Sequence, residues 1–262
     1  MTRMRKKREN AILELLSESG RMEVAVLAEK LGISQVTVRK DLDALEERGI
    51  LRREHGYALF GGSDDINNRL AFHYEEKRRI ARQAAKLVTP GEIVMIENGS
   101  CCALVAEELA RTNQDGAIIT NSAFIASYIR KIGRIRIILL GGDFQNDSQV
   151  MVGPILKTCA EQFYVKKLFI GIDGYSERLG FMASDHLRVQ AVRDMAEQAE
   201  TVMVVTESAK FDRNGVVPLK LERASCHVIT DAAISPDKEA TLMRNGVKVH
   251  KAEREDDKTE SV

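Results

Sequence analysis

The sequence predicts an α/β chain in two unequal parts. A small N-terminal helical module closed by a two-stranded wing comes first. A larger domain with a mostly parallel sheet flanked by helices follows. Three observations carry this reading. Hydrophobic periodicity is helical up to about residue 48,. The stretch GGSDDINNR then gathers Gly, Asp, Ser and Asn, the composition of a connection,. Beyond it, seven short strand-like stretches alternate with helical segments, and several of them are continuous apolar runs, as in strands covered on both faces,. The predicted boundaries are 1–60 for the first module, 61–74 for a linker, 75–251 for the larger domain and 252–262 for a charged tail.

The chain has 262 residues, enough for two such parts, and is 44% hydrophobic and 30% charged, as a globular core and its surface require,. Its 39 basic and 39 acidic residues balance, which excludes a wholly basic nucleic-acid coat and leaves room for a small basic patch,. The basic start MTRMRKKREN is followed by AILELL, too short and too charged for a signal core,. No run approaches the roughly 18 apolar residues of a membrane span. The four cysteines show no CxxC spacing, so reduced thiols and a cytoplasmic protein without metal are expected,.

The first helix is expected over Arg5–Ser19, with Ile12, Leu13, Leu15 and Leu16 as its apolar stripe and Gly20 as its end. A second spans Val24–Leu31. Gly32, Ile33 and Ser34 then make a three-residue turn, Ser34 caps a third helix, and Gly49 stops it,. On a wheel of that third helix, Val38, Leu42 and Leu45 share one side,. Val36, Arg39, Lys40 and Asp43 share the other, with Gln35 at its start. Arg can donate twice to guanine, Gln can pair with adenine, and a small apolar group can meet a thymine methyl. The turn spacing is that of a helix-turn-helix. Arg3, Arg5, Lys6, Lys7 and Arg8, with Arg52 and Arg53 in the wing segment ILRREHGYALF, are candidates for phosphate contacts,. The competing reading is that Arg39, Lys40, Asp43 and Glu47 form an ordinary solvated helix face.

In the larger domain, strands are expected at 92–97, 116–120, 135–140, 167–172, 201–206, 226–230 and 247–251. Helices are expected at 76–88, 102–111, 122–132, 185–199 and 236–244. Three turns follow neighbouring strands: Asn98-Gly99-Ser100, Thr120-Asn121-Ser122 and Gly141-Gly142-Asp143. Glycine allows close backbone approach, and free N–H groups at a helix start favour an anion such as phosphate. In an open parallel sheet, ligands bind at the carboxyl ends of the strands, so the three turns could line one crevice. Asp173 and Lys210 follow two further strands. They suit sugar hydroxyls and phosphate, or are simply a turn aspartate and a surface lysine.

The residues Thr37, Val38, Arg39, Lys40, Asp41 and Leu42, then Leu45, Gly49, Arg53, His55 and Gly56, resemble the T-[IV]-R-[RK]-D-L, L-x-x-x-G and R-x-H-G-G-A patterns of DeoR-family transcriptional regulators. Tyr57 stands where that family has its second wing glycine. The landmarks Gly99-Ser100, Ile119–Ser122, Leu140–Gly142, Gly171–Gly174, Ser208–Phe211 and Val228–Asp231 resemble the same family's effector-sensing domain. That domain is similar in fold to ribose-5-phosphate isomerase and the coenzyme A transferases. The resemblance covers residues 5–231. It implies sequence-specific binding to a double-stranded DNA operator through Ser34, Gln35, Val36, Thr37, Arg39, Lys40, Arg52, Arg53 and His55. It implies a phosphorylated sugar effector at Asn98, Gly99, Ser100, Cys101, Thr120, Asn121, Ser122, Gly141, Gly142, Asp173 and Lys210. A repressor acting as a homo-oligomer, dimer or tetramer, with no cofactor and no membrane partner, is the expected protein.

The chain departs from the family at four positions. Glu97 and Glu207 replace aspartates, Cys101 replaces a threonine, and Gln190 aligns with a glutamate. Two alternatives stay open. One is a sugar-phosphate isomerase-like enzyme with an appended helical module, which Gln190 disfavours because an amide cannot act as a carboxylate base. The other is a regulator whose larger domain serves only in oligomerisation.

Overall fold

Apolar side chains spaced i, i+4 and i+7 close the core of the first part. Val38, Leu42 and Leu45 are buried, and Ile12, Leu13, Leu16 and Leu27 pack with them. The computed structural model describes residues 3–47, 51–59, 66–221 and 225–253. The chain divides into two compact units, residues 1–75 and 76–262.

The first unit runs α1 (Arg3–Ser19), β1 (Arg21–Glu23), α2 (Val24–Leu31), α3 (Gln35–Glu47), β2 (Arg52–Glu54), β3 (Tyr57–Leu59) and α4 (Ile66–Ala71). Leu15, expected in the buried stripe of α1, is only half-buried. The expected two-stranded wing has a third strand, in the order β1-β3-β2. Arg21 and Arg52 both pair with Leu59, so β1 closes the free edge that β3 would otherwise present,. Three residues without an apolar run gave no sequence signal for β1. The predicted linker 61–74 is partly helical. Ile66 and Leu70, one turn apart in α4, are both fully buried, and this burial outweighs the turn-forming Asn67 and Asn68,. Residues 61–65, Gly49 and the tail beyond 253 lie outside the described residues.

The second unit contains α5 (Tyr74–Ala85, entering from the first), β4 (Ile93–Ile96), α6 (Ser100–Thr112), β5 (Ala117–Thr120), α7 (Ala123–Ile129) and β6 (Arg136–Leu139). Then come β7 (Asp143–Gln145), β8 (Val150–Val152), α8 (Pro154–Ala160), β9 (Val165–Ile170), β10 (Gly174–Ser176), β11 (Gly180–Ala183) and α9 (His186–Ala196). The chain continues through β12 (Ala199–Val205), a 3-10 turn (Ser208–Asp212), β13 (Val217–Pro218), β14 (Ser225–Asp231), α10 (Pro236–Arg244) and β15 (Lys248–Ala252).

All seven expected strands form one sheet, in the order β15-β14-β12-β9-β4-β5-β6. Every neighbouring pair in it is parallel. Met95, Ile119, Leu168, Ile170, Val202, Val204 and Val228 point into one core together with Leu156, Val192, Met195 and Leu242 of α8, α9 and α10. The intervening Ile96, Ile118, Phe169, Met203 and Ile229 are buried as well, and alternation turns them to the opposite face,. Right-handed crossovers place α6 and α7 on that face, because β4, β5 and β6 progress one way across the sheet and β9, β12, β14 and β15 the other,. The short antiparallel sheets β7-β8 and β10-β11-β13, and helix α8, were not expected.

Two predictions follow from this packing. Leu42→Ala lowers the stability of the first unit by about 2–5 kcal/mol, the usual cost of emptying a buried leucine site, read as a lower denaturant midpoint in the full chain. Glu92 is the second test. Burial pushes its carboxyl up, but bonds from Lys167 at 2.7 and 2.9 Å and from Thr89 outweigh this, and its pKa falls below the ordinary 4.5. A lowered pKa stabilises above the unfolded value and is lost as pH falls through the folded one. Below about pH 4.5 the native chain therefore loses stability more steeply than Glu92→Gln, and matched acid titrations of unfolding compare the two slopes,.

Candidate functional site

Helix α3, which carries the exposed face predicted to read DNA, is aimed by its preceding turn. Gly32 sits at φ 64°, in the left-handed region where glycine carries no side-chain penalty,. Its N–H bonds Glu29 O at 3.2 Å, and the Ile33 N–H bonds Ala28 O at 3.1 Å, which finishes α2 and redirects the chain,. Ser34 Oγ then accepts from the Thr37 N–H at 3.2 Å and shares a hydrogen bond with Thr37 Oγ1 at 2.9 Å. Gln35, Val36, Arg39, Lys40 and Asp43 are all exposed, and Val36 is 59% exposed despite being apolar. Gln35 Oε1 accepts from Arg39 Nη2 at 3.1 Å, so the two exposed polar side chains stand side by side.

Several cations expected at phosphates are held elsewhere. Asp41, on the inner side of α3, is buried, and Arg8 meets it through two hydrogen bonds of 2.8 and 3.2 Å. Arg5 Nε lies 3.4 Å from the same carboxylate and 3.0 Å from Glu9. The hydrogen bond to Asp41 raises the Arg8 pKa above its ordinary value. These arginines fasten α1 to α3. Arg53 differs from expectation in the same way: its guanidinium pairs with Asp43, and its N–H donates to Glu46 Oε1 at 2.9 Å. It lies in register with Ala58, on the face of the wing sheet turned to the core, and so joins the wing to α3. Arg52 and His55 remain exposed, with His55 at φ 46° in the wing turn. Tyr57 fills the family's glycine position and carries the Arg21 guanidinium 4.2 Å above its ring,. The side chains of Arg3, Lys6 and Lys7 lie outside the described residues.

In the second unit, β4 and β9 are neighbours from which the chain departs in opposite directions. That is the switch point of an open parallel sheet, where ligands bind beyond the carboxyl ends of the strands. The Gly99 turn follows β4 and the Gly171 turn follows β9. Glu97 is buried and joins the two strands by accepting from the Gly171 N–H at 3.3 Å, a reach its extra methylene over aspartate supplies. Beyond them, Asp173 Oδ2 accepts from the Ser184 N–H at 2.9 Å, and its Oδ1 faces Lys210 Nζ at 3.9 Å. Asp231, which ends β14, accepts from both the N–H and the hydroxyl of Ser208, at 2.6 and 2.7 Å, and so fixes the turn that carries Lys210. Gly174 allows this turn to approach: a Cβ there would lie 2.4 Å from Arg213 O.

The three turns expected to share one crevice are not equivalent. At Thr120-Asn121-Ser122, the first N–H groups of α7 are already bonded. Ala123 and Phe124 donate to Gln149 O at 2.9 and 3.4 Å, and Ile125 donates to Ser122 Oγ at 3.2 Å. Thr120, Asn121 and Ser122 are fully buried, with Ser122 Oγ donating to Asn98 Oδ1 at 3.2 Å and Asn121 Nδ2 to Met151 O at 3.1 Å. They brace the rim rather than offer donors. Gly141-Gly142 leads into a strand, not a helix, so no helix N-terminus exists there. A Cβ on Gly142 would meet Val152 O at 2.6 Å, so its glycine serves the β7-β8 hairpin. Of these three turns, only Gly99 precedes a helix that starts with no side-chain cap. A Cβ on Gly99 would reach Cys102 Sγ at an ordinary 3.5 Å, so it is not a tight turn that requires glycine. Ser100 and Cys101 are buried in the first turn of α6. Gln190 is exposed on α9 and donates to Asp194 at 2.9 Å.

An exposed Gln-Val-Arg-Lys face on the second helix of a helix-turn-helix, in one chain with a separate α/β unit that has an uncapped helix at its switch point, defines a DNA-binding regulator with a sensor domain. Comparison with known proteins gives the same class. Residues 8–63 match the DeoR-like helix-turn-helix domain and residues 72–232 match the DeoR C terminal sensor domain. The chain belongs to the DeoR family of transcriptional regulators. It is 30% identical to the glycerol-3-phosphate regulon repressor of Escherichia coli K12 over 86% of this chain and 90% of that one. It is 28% identical to a putative aga operon transcriptional repressor of Escherichia coli O157:H7 over 92% of each. Among solved structures, a ribose 5 phosphate isomerase A from Neisseria gonorrhoeae is similar over 52% of this chain and 53% of its own, with a TM-score of 0.40 and 16% identity. A likeness of that size carries no functional information. Among the described residues, no helix is long and apolar enough to cross a membrane.

Asp41→Asn removes the charge that holds Arg5 and Arg8. Because both guanidiniums reach solvent, the expected loss is about 1–3 kcal/mol, less than for a fully enclosed pair. Thermal unfolding compared with Asp43→Asn, whose carboxylate is exposed, separates the buried pair from a surface one.

Proposed function

We propose that this protein is a ligand-responsive repressor. It reads its operator with Gln35, Val36, Thr37, Arg39 and Lys40, with Ser34 setting the helix start and Arg52 and His55 touching the backbone from the wing. It releases DNA when a phosphorylated sugar binds the second unit. The observation that carries the effector reading is the uncapped start of α6 at the β4/β9 switch point, with Asp173 after β9 and Lys210 after the neighbouring β12. The helix start and Lys210 suit a phosphate dianion, and Asp173 can accept from sugar hydroxyls. Relatives named as repressors of the glycerol-3-phosphate regulon and the aga operon support the sign. A 25% identical L-fucose operon activator shows that the opposite sign occurs among its relatives. Paired half-sites require a homo-oligomer, a dimer or a tetramer, with one reading helix on each half-site. The chain acts without turnover, its family chemistry being binding.

The test is a DNA-binding titration of the purified chain on its own upstream region at fixed salt, with sugar phosphates added singly. Specific binding that one compound weakens supports the reading, and turnover of that compound without DNA binding overturns it. Arg39→Ala is expected to weaken specific binding about tenfold and to relax base preference at one position of each half-site, in line with roughly 1–3 kcal/mol for a bidentate base contact. Lys210→Ala leaves DNA binding intact and reduces the effect of the sugar phosphate by about tenfold in concentration, read by repeating the titration at several effector levels.

A further inference from the structure

Lys77 is a lysine with almost no solvent contact: its side chain is 3% exposed, and its Nζ lies 3.5 Å from Oε2 of Glu207, itself 10% exposed. Such a cation is retained only when an anion faces it. The two residues belong to elements of different purpose. Lys77 is in the first turn of α5, the helix in which the chain passes from the first unit into the second, at residues 75 and 76. Glu207 immediately precedes the 3-10 turn and accepts from the Lys210 N–H through its own carbonyl at 3.0 Å. Glu207 and Lys210 are therefore two arms of one turn, with Ser208 clamped between them by Asp231 at 2.6 and 2.7 Å. One arm reaches Asp173 through a loose 3.9 Å pair, and the other reaches α5 through an enclosed one.

We propose that the Lys77–Glu207 pair is the coupling that delivers effector occupancy to α5. An anion at Lys210 draws its ammonium from Asp173, and the turn pivots about the fixed Ser208. Glu207 on the opposite arm then keeps or loses Lys77. An enclosed pair suits this role because its two arrangements are discrete: a partly separated buried charge is unfavourable, so the contact is made or broken rather than stretched. Glu207 stands where the family has aspartate, and the longer side chain makes the span to Lys77. Lys77 is a positioning residue in this account, since it acts through Glu207. The inference rests on the sugar-phosphate reading above.

The experiment uses the full chain, its upstream DNA and four probes: glycerol 3-phosphate, ribose 5-phosphate, glucose 6-phosphate and fructose 1-phosphate. Wild type is expected to change its DNA affinity about 5–150-fold with an active probe, the usual range of coupling between two sites. The doubly apolar variant Lys77→Met with Glu207→Leu is the deciding protein, because replacing both members leaves neither charge facing an apolar partner; its denaturant midpoint is measured beside wild type, since Glu207 also has a carboxylate oxygen within 4.8 Å of one of Glu76. It is expected to bind DNA as wild type does and to bind the active probe by calorimetry, while the probe changes its DNA affinity less than about twofold. The charge-swapped variant Lys77→Glu with Glu207→Lys is expected to regain the response. A doubly apolar variant that responds like wild type overturns the coupling and leaves the effector reading standing. A wild-type protein that binds DNA but answers to none of the four probes overturns the effector reading and the coupling with it.

Discussion

The reversal of strand order between β4 and β9 is the constraint on which the second unit depends. A wholly parallel sheet must send its chain across one face after each strand. When the progression changes direction, the connections change face, and the two strands at the change send their chains to opposite faces of the sheet. The Gly99 and Gly171 turns meet there: a Cβ on Gly99 would lie 3.9 Å from Gly171 Cα, and Asn98, Ser100 and Cys101 are buried. Glu97 holds them at a fixed separation through the Gly171 N–H. Asp173 and Lys210 face each other beyond the next strands because β9 and β12 are paired in register from Lys167–Thr201 to Ile170–Val204. The sensor geometry is thus a property of topology first and of individual side chains second.

Within that geometry, hydrogen-bond satisfaction sorts the turns. A helix start whose N–H groups already have carbonyl and hydroxyl partners, as α7 has in Gln149 and Ser122, offers nothing to a ligand,. Gln149 adopts a positive φ of 50° to bring its carbonyl there, a cost that serves bracing rather than recognition,. The start of α6 has no such cap. Three turns that look alike in composition therefore divide into one that opens a helix without a side-chain cap and two whose backbone serves the packing around it.

Much of this was legible in the sequence, for physical reasons that also mark the limit. The central strands β5, β9 and β12 end in continuous apolar runs because both faces are buried there, so each announces itself, while the edge strands β6 and β15 are partly exposed. Val38, Leu42 and Leu45 keep helical spacing, and all three are in the core. Strands of three residues such as β1, β7 and β10 are too short to show a period. Helix α4 hid in a segment whose composition favours turns, since two buried apolar residues decide it. The roles of Arg5, Arg8 and Arg53 were out of reach because their partners are distant in the chain: Arg8 and Asp41 are 33 residues apart. Clustered cations near a DNA-binding helix invite a phosphate role, and only the fold shows which of them already have anions.

The binding of Arg5 and Arg8 to Asp41 has a consequence for how information can travel. With α1 fastened to α3 through the buried Asp41, and the wing fastened to α3 through Arg53, these three parts of the first unit form a solid body. A solid reading head has no internal setting for a metabolite to alter. Its base preference is then set within the first unit, and whatever the second unit senses must act on that head as a whole. The vocabulary of this regulator is fixed by its first seventy or so residues, and its grammar by the rest.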